Sequence, residues 1–275
     1  MSLINTLNYE EVLGLQFQSG VRGLANMEVY MYYVDGLLID TGQPKARQSV
    51  LQETSKLDID QVIITHHHED HSGNAPFIKD QHTCPIYASK PCVELMKAPP
   101  KISPVQRLTW GDRPANKELI ALEKNEIKTP NHTFTIIPVP GHAADMIALH
   151  EPERKWLFSA DLFINSYISY FIYNESIIAQ MESLRRVLSL DFKVMFCAHN
   201  PKLETPRASL EKKLNYLESS YEQVRQLYEK GLDEHSIIKA LNWKEMWLVR
   251  LASKGQLSRK NMIRAILRDL KASGE

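Results

Sequence analysis

The sequence predicts an α/β fold, with strands and helices alternating over the first 200 residues and a helical extension after them. Short apolar runs such as Val62–Ile64 and Val194–Cys197, each bounded by polar or turn residues, are typical of buried strands. From Pro206 onward the apolar residues recur at three- and four-residue steps, which is the period of an amphipathic helix. We therefore predict an α/β domain over residues 1–205 and a helical C-terminal extension over residues 206–275.

The composition is typical of a soluble globular protein. The 275 residues are 43% hydrophobic and 24% charged, with a formal net charge of zero, so no overall field favours nucleic acid or membrane. No apolar run approaches about 18 residues, and no charged segment followed by an apolar one opens the chain. The cysteines Cys84, Cys92 and Cys197 form no CxxC pair and indicate reduced thiols. A cytoplasmic protein without a membrane partner is therefore expected.

The first half of the chain is predicted as strands followed by short strand–helix units. Residues 9–40 are strand-like, with a hairpin turn at Asp35-Gly36, and Pro44 lies in the first turn of a helix that extends to Ser55. The later elements are the strand Val62–Ile64, a helix capped by Ser72 or Asn74, and the units at Pro85–Tyr87 and Lys90–Lys97. Residues 98–116 contain four prolines and are expected to be a loop, either a binding loop or a plain surface connection.

The second half is predicted as strands, one aromatic segment and then helices. The predicted strands are residues 117–139, Met146–Leu149, Trp156–Phe158 and Val194–Cys197, with a helix over 176–189. Helices are expected from Pro206 to Gly231, from Asp233 through Ala240 and from Ser258 through Leu270.

The stretch Thr65–His71 is the strongest candidate for chemistry. It contains four of the ten histidines and one aspartate directly after the strand Val62–Ile64. On a continuing strand His66, His68 and Asp70 would share one face, whereas in a tight loop His71 would converge with them. Imidazole and carboxylate together are suitable ligands for Zn²⁺ or iron. The alternative is a solvated polar loop, but the strand before it and the Asp-His pair at a fixed offset favour a metal site.

The pattern His66-x-His68-x-Asp70-His71 resembles the signature motif of the metallo-β-lactamase superfamily. That resemblance implies three further ligands, and the chain has candidates in the expected order. They are His142 after Pro-Gly, Asp161 at the end of an apolar strand, and His199 after the strand Val194–Cys197. Ala160 and Ala198 stand where the family commonly has glycine, which is a small departure.

The resemblance, which covers about residues 10–205, implies a four-layer αβ/βα sandwich and makes residues 1–205 the catalytic domain. It also implies two divalent metal ions, zinc first, with iron or manganese as alternatives. His66, His68 and His142 would hold one ion, and Asp70, His71 and His199 the other, with Asp161 bridging them. A hydroxide shared by the two ions would attack the substrate, and Asp70 would orient this nucleophile and accept a proton.

Other residues near these ligands have weaker assignments. Tyr167, Tyr170 and Tyr173 follow Asp161 and are expected to wall the substrate pocket and offer a phenol to an oxyanion, with aromatic packing or an oligomer contact as the alternative. Asp145 is a candidate for orienting a ligand from outside. His67 and Glu69 are expected to support the ligands or face solvent. The remaining histidines, His82, His132, His150 and His235, are expected on the surface.

The resemblance implies a hydrolase (EC 3) that acts on a small ester, thioester or lactone, similar to the glyoxalase II and acyl-homoserine-lactone lactonase branches. The alternative is the persulfide dioxygenase branch, which uses a single iron. Nucleic-acid processing, as in the ribonuclease Z and β-CASP branches, is a weaker alternative because no large inserted domain is visible. A small-molecule substrate is therefore expected, nucleic acid is not, and a homodimer remains open.

The C-terminal extension has an excess of basic residues, whereas the first 200 residues have an excess of acidic residues. Residues 201–275 contain fifteen Lys/Arg and ten Asp/Glu. Seven of these basic residues are concentrated near its end: Arg250, Lys254, Arg259, Lys260, Arg264, Arg268 and Lys271. They form either a solvated helix face or a surface that contacts phosphates or an anionic substrate tail.

Overall fold

A computed structural model of the chain describes residues 3–19 and 27–273. The strands are β1 (Leu3–Tyr9), β2 (Val12–Ser19), β3 (Met27–Val34), β4 (Leu37–Ile39), β5 (Gln61–Ile64), β6 (Ile86–Ala88), β7 (Ile120–Ala121), β8 (Glu126–Lys128), β9 (Thr133–Pro138), β10 (Ile147–Glu151), β11 (Trp156–Ala160), β12 (Phe171–Ile172), β13 (Val194–Cys197) and β14 (Leu257–Ser258). Of the segment predicted as strands, residues 20–26 lie outside the described residues.

The helices follow most of the sequence signals. They are α1 (Arg47–Thr54), α2 (Glu69–Ser72), α3 (Ala75–His82), α4 (Lys90–Lys97), α5 (Pro104–Trp110), α6 (Ile177–Leu188), α7 (Pro206–Glu229), α8 (Glu234–Leu241), α9 (Trp247–Ala252) and α10 (Arg259–Ser273). Pro44–Ala46 forms a 3₁₀ turn before α1. The prediction of a loop over 98–116 is wrong for Pro104–Trp110, which form α5. Ser103 and Gln106 form a capping box there and Pro104 occupies the first turn, so the local signals favour a helix.

Two mixed sheets carry the fold. The seven-stranded sheet has the order β1-β2-β3-β4-β5-β6-β7, antiparallel from β1 to β4 and parallel from β4 to β7. The five-stranded sheet has the order β13-β11-β10-β9-β8, in which only the β11–β13 pair is parallel. A further antiparallel pair joins β12 to β14, and it links the segment after Asp161 to the C-terminal extension.

The side chains of β5 show how the layers form. Ile63 packs between the two sheets, in a cluster that includes Trp156 and Phe196 of the five-stranded sheet. Val62 and Ile64 point to the opposite face, where they pack with residues of α1, α3 and α4. The outer face of the five-stranded sheet is covered by α6, α7 and α10. This αβ/βα arrangement confirms the predicted fold class.

The helical extension packs directly on the α/β part. Leu210, Ile237 and Met262, from α7, α8 and α10, belong to one buried cluster with Ala148 and Leu157 of the five-stranded sheet. The division at residue 205 stays a prediction. Within residues 3–19 and 27–273, none of the helices combines the length and apolar character needed to cross a bilayer.

The prediction that the four remaining histidines lie on the surface is wrong for His132 and His150, which are both buried. His132 packs its ring against Trp156, with Glu11 and Glu151 at its two nitrogens. His150 lies on β10 and its Nε2 donates to the carbonyl of Asp191 (3.0 Å). Each buried ring therefore has polar partners that are distant in the sequence.

Candidate metal centre

The predicted ligand loop begins where β5 ends and closes as a helical turn rather than continuing as a strand. The amides of His71 and Ser72 both donate to the carbonyl of His68 (3.1 and 2.9 Å). These two hydrogen bonds form the turn of α2, and His68 is its N-cap. Thr65 begins the loop, and its amide and hydroxyl both donate to the carboxylate of Asp40 (2.8 Å each). Because β4 and β5 are parallel, their carboxyl ends bring Asp40 and the loop to the same edge of the sheet.

The three downstream candidates are placed by special backbone positions. Gly141 has φ +137°, and an added Cβ would lie only 2.5 Å from the backbone nitrogen of Gln180, so only glycine fits before His142. Ala160 has φ +46° at a register shift between β11 and β13, and this irregularity directly precedes Asp161. Glycine adopts such a conformation more easily, which accounts for the family's usual residue at position 160.

The structure brings all seven predicted ligand residues together in two groups, each with ligand atoms within 4.8 Å of one another. One group is His66, His68, His142 and Asp161, and the other is Asp70, His71, Asp161 and His199. Asp161 belongs to both groups through different oxygens. Its Oδ2 lies 3.3 Å from Nε2 of His142, and its Oδ1 lies 3.4 Å from Nε2 of both His71 and His199.

Several atoms at the centre of these groups are buried without a protein partner. Nε2 of His66, Nε2 of His71 and Oδ1 of Asp161 accept or donate no hydrogen bond among the described residues. Nδ1 of His68 and Nε2 of His142 face each other at 3.0 Å. Buried polar atoms are rarely left unpaired, and the set of imidazole nitrogens and carboxylate oxygens suits a divalent transition metal. The residues present therefore fit two metal ions that share Asp161.

The electrostatics of the two groups differ. Burial lowers the pKa of His66 and His68 well below the usual value, so these rings are neutral and offer a lone pair. Burial also opposes charging of His71 and His199, but the neighbouring carboxylates, Asp161 foremost, together outweigh it and raise the pKa of both. Burial likewise lowers the pKa of His142, yet hydrogen bonds to Asp161 and Glu175 raise it to about 9. A bound cation would take the place of these protons.

Outer partners, which the sequence patterns did not identify as such, fix the orientation of three ligand rings. Nδ1 of His71 donates to Oδ2 of Asp40 (2.7 Å), and Nδ1 of His142 donates to Oε1 of Glu175 (2.8 Å). Nδ1 of His199 donates to the backbone carbonyl of Glu28 (2.6 Å). Each of these bonds leaves Nε2 facing the centre. The only sequence signal was an acid at a strand end for Asp40, and none distinguished Glu28 or Glu175.

We expect Asp40→Asn to lower metal affinity about 10- to 100-fold, because the amide cannot accept simultaneously from His71 and Thr65 as the carboxylate does. The affinity is measured by competition with a chromophoric chelator. Asp35→Asn is the matched control, since Asp35 (φ 49°) and Asp40 (φ 64°) both have a positive φ. Asp35 lies on the hairpin between β3 and β4, away from the ligands. Equal metal affinity in the two variants would contradict this role.

His67 and Glu69 alternate with the ligands and face away from them into buried partners. The amide and Nδ1 of His67 donate to the two oxygens of Asp145 (2.8 and 2.7 Å). Asp145 therefore holds the loop through His67 and does not bond a ligand ring. Glu69 pairs with Arg113 (3.2 Å), which also donates to the carbonyls of His67 and Pro100. Arg113 thus ties residues 98–116 to the metal loop, a role that no sequence signal indicated.

The three predicted substrate-pocket tyrosines have different positions. Tyr170 lies near the centre, where His199, Glu175 and Asp161 interact with it electrostatically. Burial raises its pKa. Tyr167 is exposed and packs edge-on against Tyr216 of α7. Tyr173 is exposed and its amide donates to the carbonyl of Gln256 (3.2 Å). The ring of Trp110 on α5 also approaches His199, with centroids 6.3 Å apart.

Comparisons with known proteins agree with this geometry. Residues 28–199 match the family model described as the metallo-beta-lactamase superfamily. A beta-lactamase-like protein 2 homolog from Caenorhabditis elegans is 28% identical over 233 residues, which cover 79% of this chain and 70% of the relative. A hydroxyacylglutathione hydrolase from Bdellovibrio bacteriovorus is 28% identical over 146 residues. That match covers 53% of this chain and 51% of the relative, so it spans about half of each.

Solved structures show the same fold at low sequence identity. A metallo-beta-lactamase family protein from Thermus thermophilus superimposes with a TM-score of 0.67 at 17% identity, covering 97% of this chain and 95% of that one. The metallo-beta-lactamase FIM-1 from Pseudomonas aeruginosa, solved in a mono-zinc form, superimposes with a TM-score of 0.61 at 18% identity. The match covers 80% of this chain and 96% of that one.

Proposed function

The chain belongs to the metallo-beta-lactamase superfamily and has the fold of its hydrolases, and from this premise we propose that it is a dinuclear metal-dependent hydrolase of a small ester, thioester or lactone. The observation that carries the proposal is the position of Asp161, whose two oxygens face the two ligand groups. A site built for one ion would not need a second set of ligands completed by Asp70, His71 and His199.

The residues that would hold the ions follow from the two groups. His66, His68 and His142 would bind one ion, Asp70, His71 and His199 would bind the other, and Asp161 would bind both. Divalent ions bound there would supply Lewis acidity and a hydroxide nucleophile near neutral pH. Zinc suits this mixture of nitrogen and oxygen ligands, and iron or manganese can use the same set.

Asp70 is the proposed catalytic residue. Its Oδ2 lies 3.3 Å from Nε2 of His199 and 3.7 Å from Nε2 of His71, so it points into the centre. Water adds to the acyl carbon, and Asp70 takes the proton that this water loses. The bond to sulfur or oxygen then breaks, and Asp70 returns the proton to the departing thiolate or alkoxide. The products are a carboxylic acid and a thiol or alcohol.

Two aromatic side chains near His199 complete the proposed pocket. The phenol of Tyr170 is protonated near neutral pH, and burial raises its pKa further, so it can donate to the developing oxyanion. Trp110, carried by α5, lies against His199 and limits access of bulk water. Relatives named hydroxyacylglutathione hydrolase support a thioester among the three substrate classes.

The test is metal content together with activity. We expect protein purified without chelator to bind two equivalents of zinc, manganese or iron by mass spectrometry and to hydrolyse members of a thioester and lactone panel. His68→Ala should lose at least one equivalent and the activity, because it removes a ligand from the first group.

The matched control is His82→Ala at the end of α3, outside both ligand groups. It should retain both the metal and the activity. A single iron with oxygen uptake on persulfides would contradict the hydrolase and favour the dioxygenase. No metal after reconstitution would contradict both functions.

A further inference from the structure

Two adjoining cavities in the C-terminal extension contain most of its basic residues. The larger, of about 830 Å³, lies between α8, α10 and the segment 242–250, and the smaller, of about 360 Å³, lies between Tyr173 and α10. Arg264 lines both cavities. We call the two cavities together the basic groove. Seven of its eight Lys and Arg residues make no ion pair with any described residue: Lys239, Lys244, Arg250, Lys254, Arg259, Lys260 and Arg268.

Three carboxylates line the groove, and each has a partner within the protein. Asp233 accepts from the amide of Ser236 (2.8 Å) at the start of α8. Glu234 pairs with Arg264 (2.8 Å). Glu245 accepts from the hydroxyl of Ser258 (2.6 Å) and from the amide of residue 259 (3.1 Å). No acidic residue lines the smaller cavity. With eight Lys and Arg residues against three carboxylates, the groove has a net positive charge that is open to an anion.

One arginine in the larger cavity has an unsatisfied buried donor. Nε of Arg259 is buried and makes no hydrogen bond among the described residues, although Nη2 of the same side chain donates to the hydroxyl of Tyr216 (2.9 Å). The Arg259 guanidinium also lies 5.3 Å from the ring centroid of Trp243, which lines the same cavity. A planar cation beside an indole ring is an arrangement that suits a phosphate attached to an aromatic base.

The groove is linked to the candidate metal centre through the segment that follows Asp161. Phe171 and Ile172 pair with Ser258 and Leu257, so β12 is held by the extension. Arg268 donates to the carbonyl of Glu175 (3.1 Å), whose carboxylate in turn accepts from His142. Arg268, which lines the smaller cavity, is therefore connected through Glu175 to a candidate ligand of the metal centre.

We propose that the basic groove binds the phosphate-bearing nucleotide tail of a thioester substrate while the acyl group lies at the metal centre. The inference rests on the proposed function, and it names the substrate class. The larger cavity has the volume of an ordinary small-molecule site, about 300–1,000 Å³. A long single-stranded nucleic acid fits less well, because the first 200 residues have an acidic excess that would repel a polyanion leaving the groove.

The experiment compares two thioesters that share an acetyl group. Acetyl-coenzyme A carries the nucleotide and its phosphates, whereas S-acetyl-N-acetylcysteamine has the same reacting bond without them. We expect the metal-loaded full chain to prefer the former at least about tenfold in kcat/KM, with the preference falling as salt rises. Lys239→Glu/Lys260→Glu should remove most of the preference and leave kcat/KM for the short thioester unchanged.

The control is Lys117→Glu/Lys124→Glu, which changes two exposed lysines near the β7 edge of the seven-stranded sheet. This variant should keep the preference for acetyl-coenzyme A. Equal, salt-independent rates for both thioesters would overturn the proposal while leaving the hydrolase function intact.

If neither thioester is hydrolysed, calorimetric titration with coenzyme A itself tests whether the basic groove binds the nucleotide tail. Binding that is lost in Lys239→Glu/Lys260→Glu supports the groove, and its absence overturns it. Binding of a single-stranded RNA without coenzyme A binding also overturns it.

Discussion

Asp161→Asn is expected to reduce metal binding from two equivalents to at most one and to lower kcat/KM at least about a thousandfold. Among the described residues, Asp161 is the only candidate ligand in both groups, and its two oxygens face His142 on one side and His71 and His199 on the other. The amide would leave one side with an N–H group, which cannot bind a cation. A loss of roughly 4 kcal/mol of transition-state stabilisation corresponds to this factor, and it is typical for the electrostatic contribution of bound metal.

The measurement is metal content and steady-state hydrolysis on the same preparations. Asp191→Asn, at an exposed site where the carboxylate pairs with Lys155 (2.6 Å), is the matched control and should retain full metal content and activity. If Asp161→Asn kept both equivalents and more than a tenth of the activity, Asp161 would not bridge two ions.

Arg113→Met is expected to lower the free energy of unfolding by about 3–5 kcal/mol, because it leaves a carboxylate buried without its cation. The side chains of Arg113 and Glu69 are only 2% and 3% exposed. Burial raises the pKa of Glu69, and Arg113 is the strongest influence in the opposite direction. The same substitution also removes donors to the carbonyls of His67 and Pro100, which join the metal loop to residues 98–116.

The free energy is measured by urea unfolding in excess chelator, so that metal loss does not contribute. Arg107→Met is the matched control, since its pair with Asp112 (2.7 Å) is more than 60% exposed on both sides and should be worth less than about 1 kcal/mol. Adding Glu69→Gln to Arg113→Met should restore part of the stability, because the uncompensated charge is removed. A loss of less than about 1 kcal/mol in Arg113→Met would show that the buried pair does not stabilise the loop.

The fold and the ligand positions could be predicted because both depend on local patterns. The apolar strands ending at Ile64 and Cys197 have a strong local signal, and each is followed by candidate ligands within two residues. A strand that is buried on both faces has few alternatives, and its end is a fixed point at the sheet edge. The order of the seven residues along the chain then indicated that they converge, and the structure brings them together.

The supporting residues could not be predicted, because their partners are distant in the sequence. Asp40 and Glu175 resemble surface acids in the sequence, yet they orient His71 and His142. His132 and His150 are buried rather than on the surface, and the polar partners that allow this come from other strands and loops. Arg113 lies in a proline-rich segment whose local pattern gives no sign that its guanidinium will be buried.

The pairing of β12 with β14 has a consequence for how the protein is made. The last candidate ligand, His199, leaves the ribosome well before Leu257 and Ser258, which hold Phe171 and Ile172 in place. During synthesis there is therefore an interval in which the nascent chain carries the seven candidate ligands but lacks the strand that pairs with β12. A chain released early in that interval would carry the candidate ligands without the strand that pairs with β12 and without α10, which covers the five-stranded sheet.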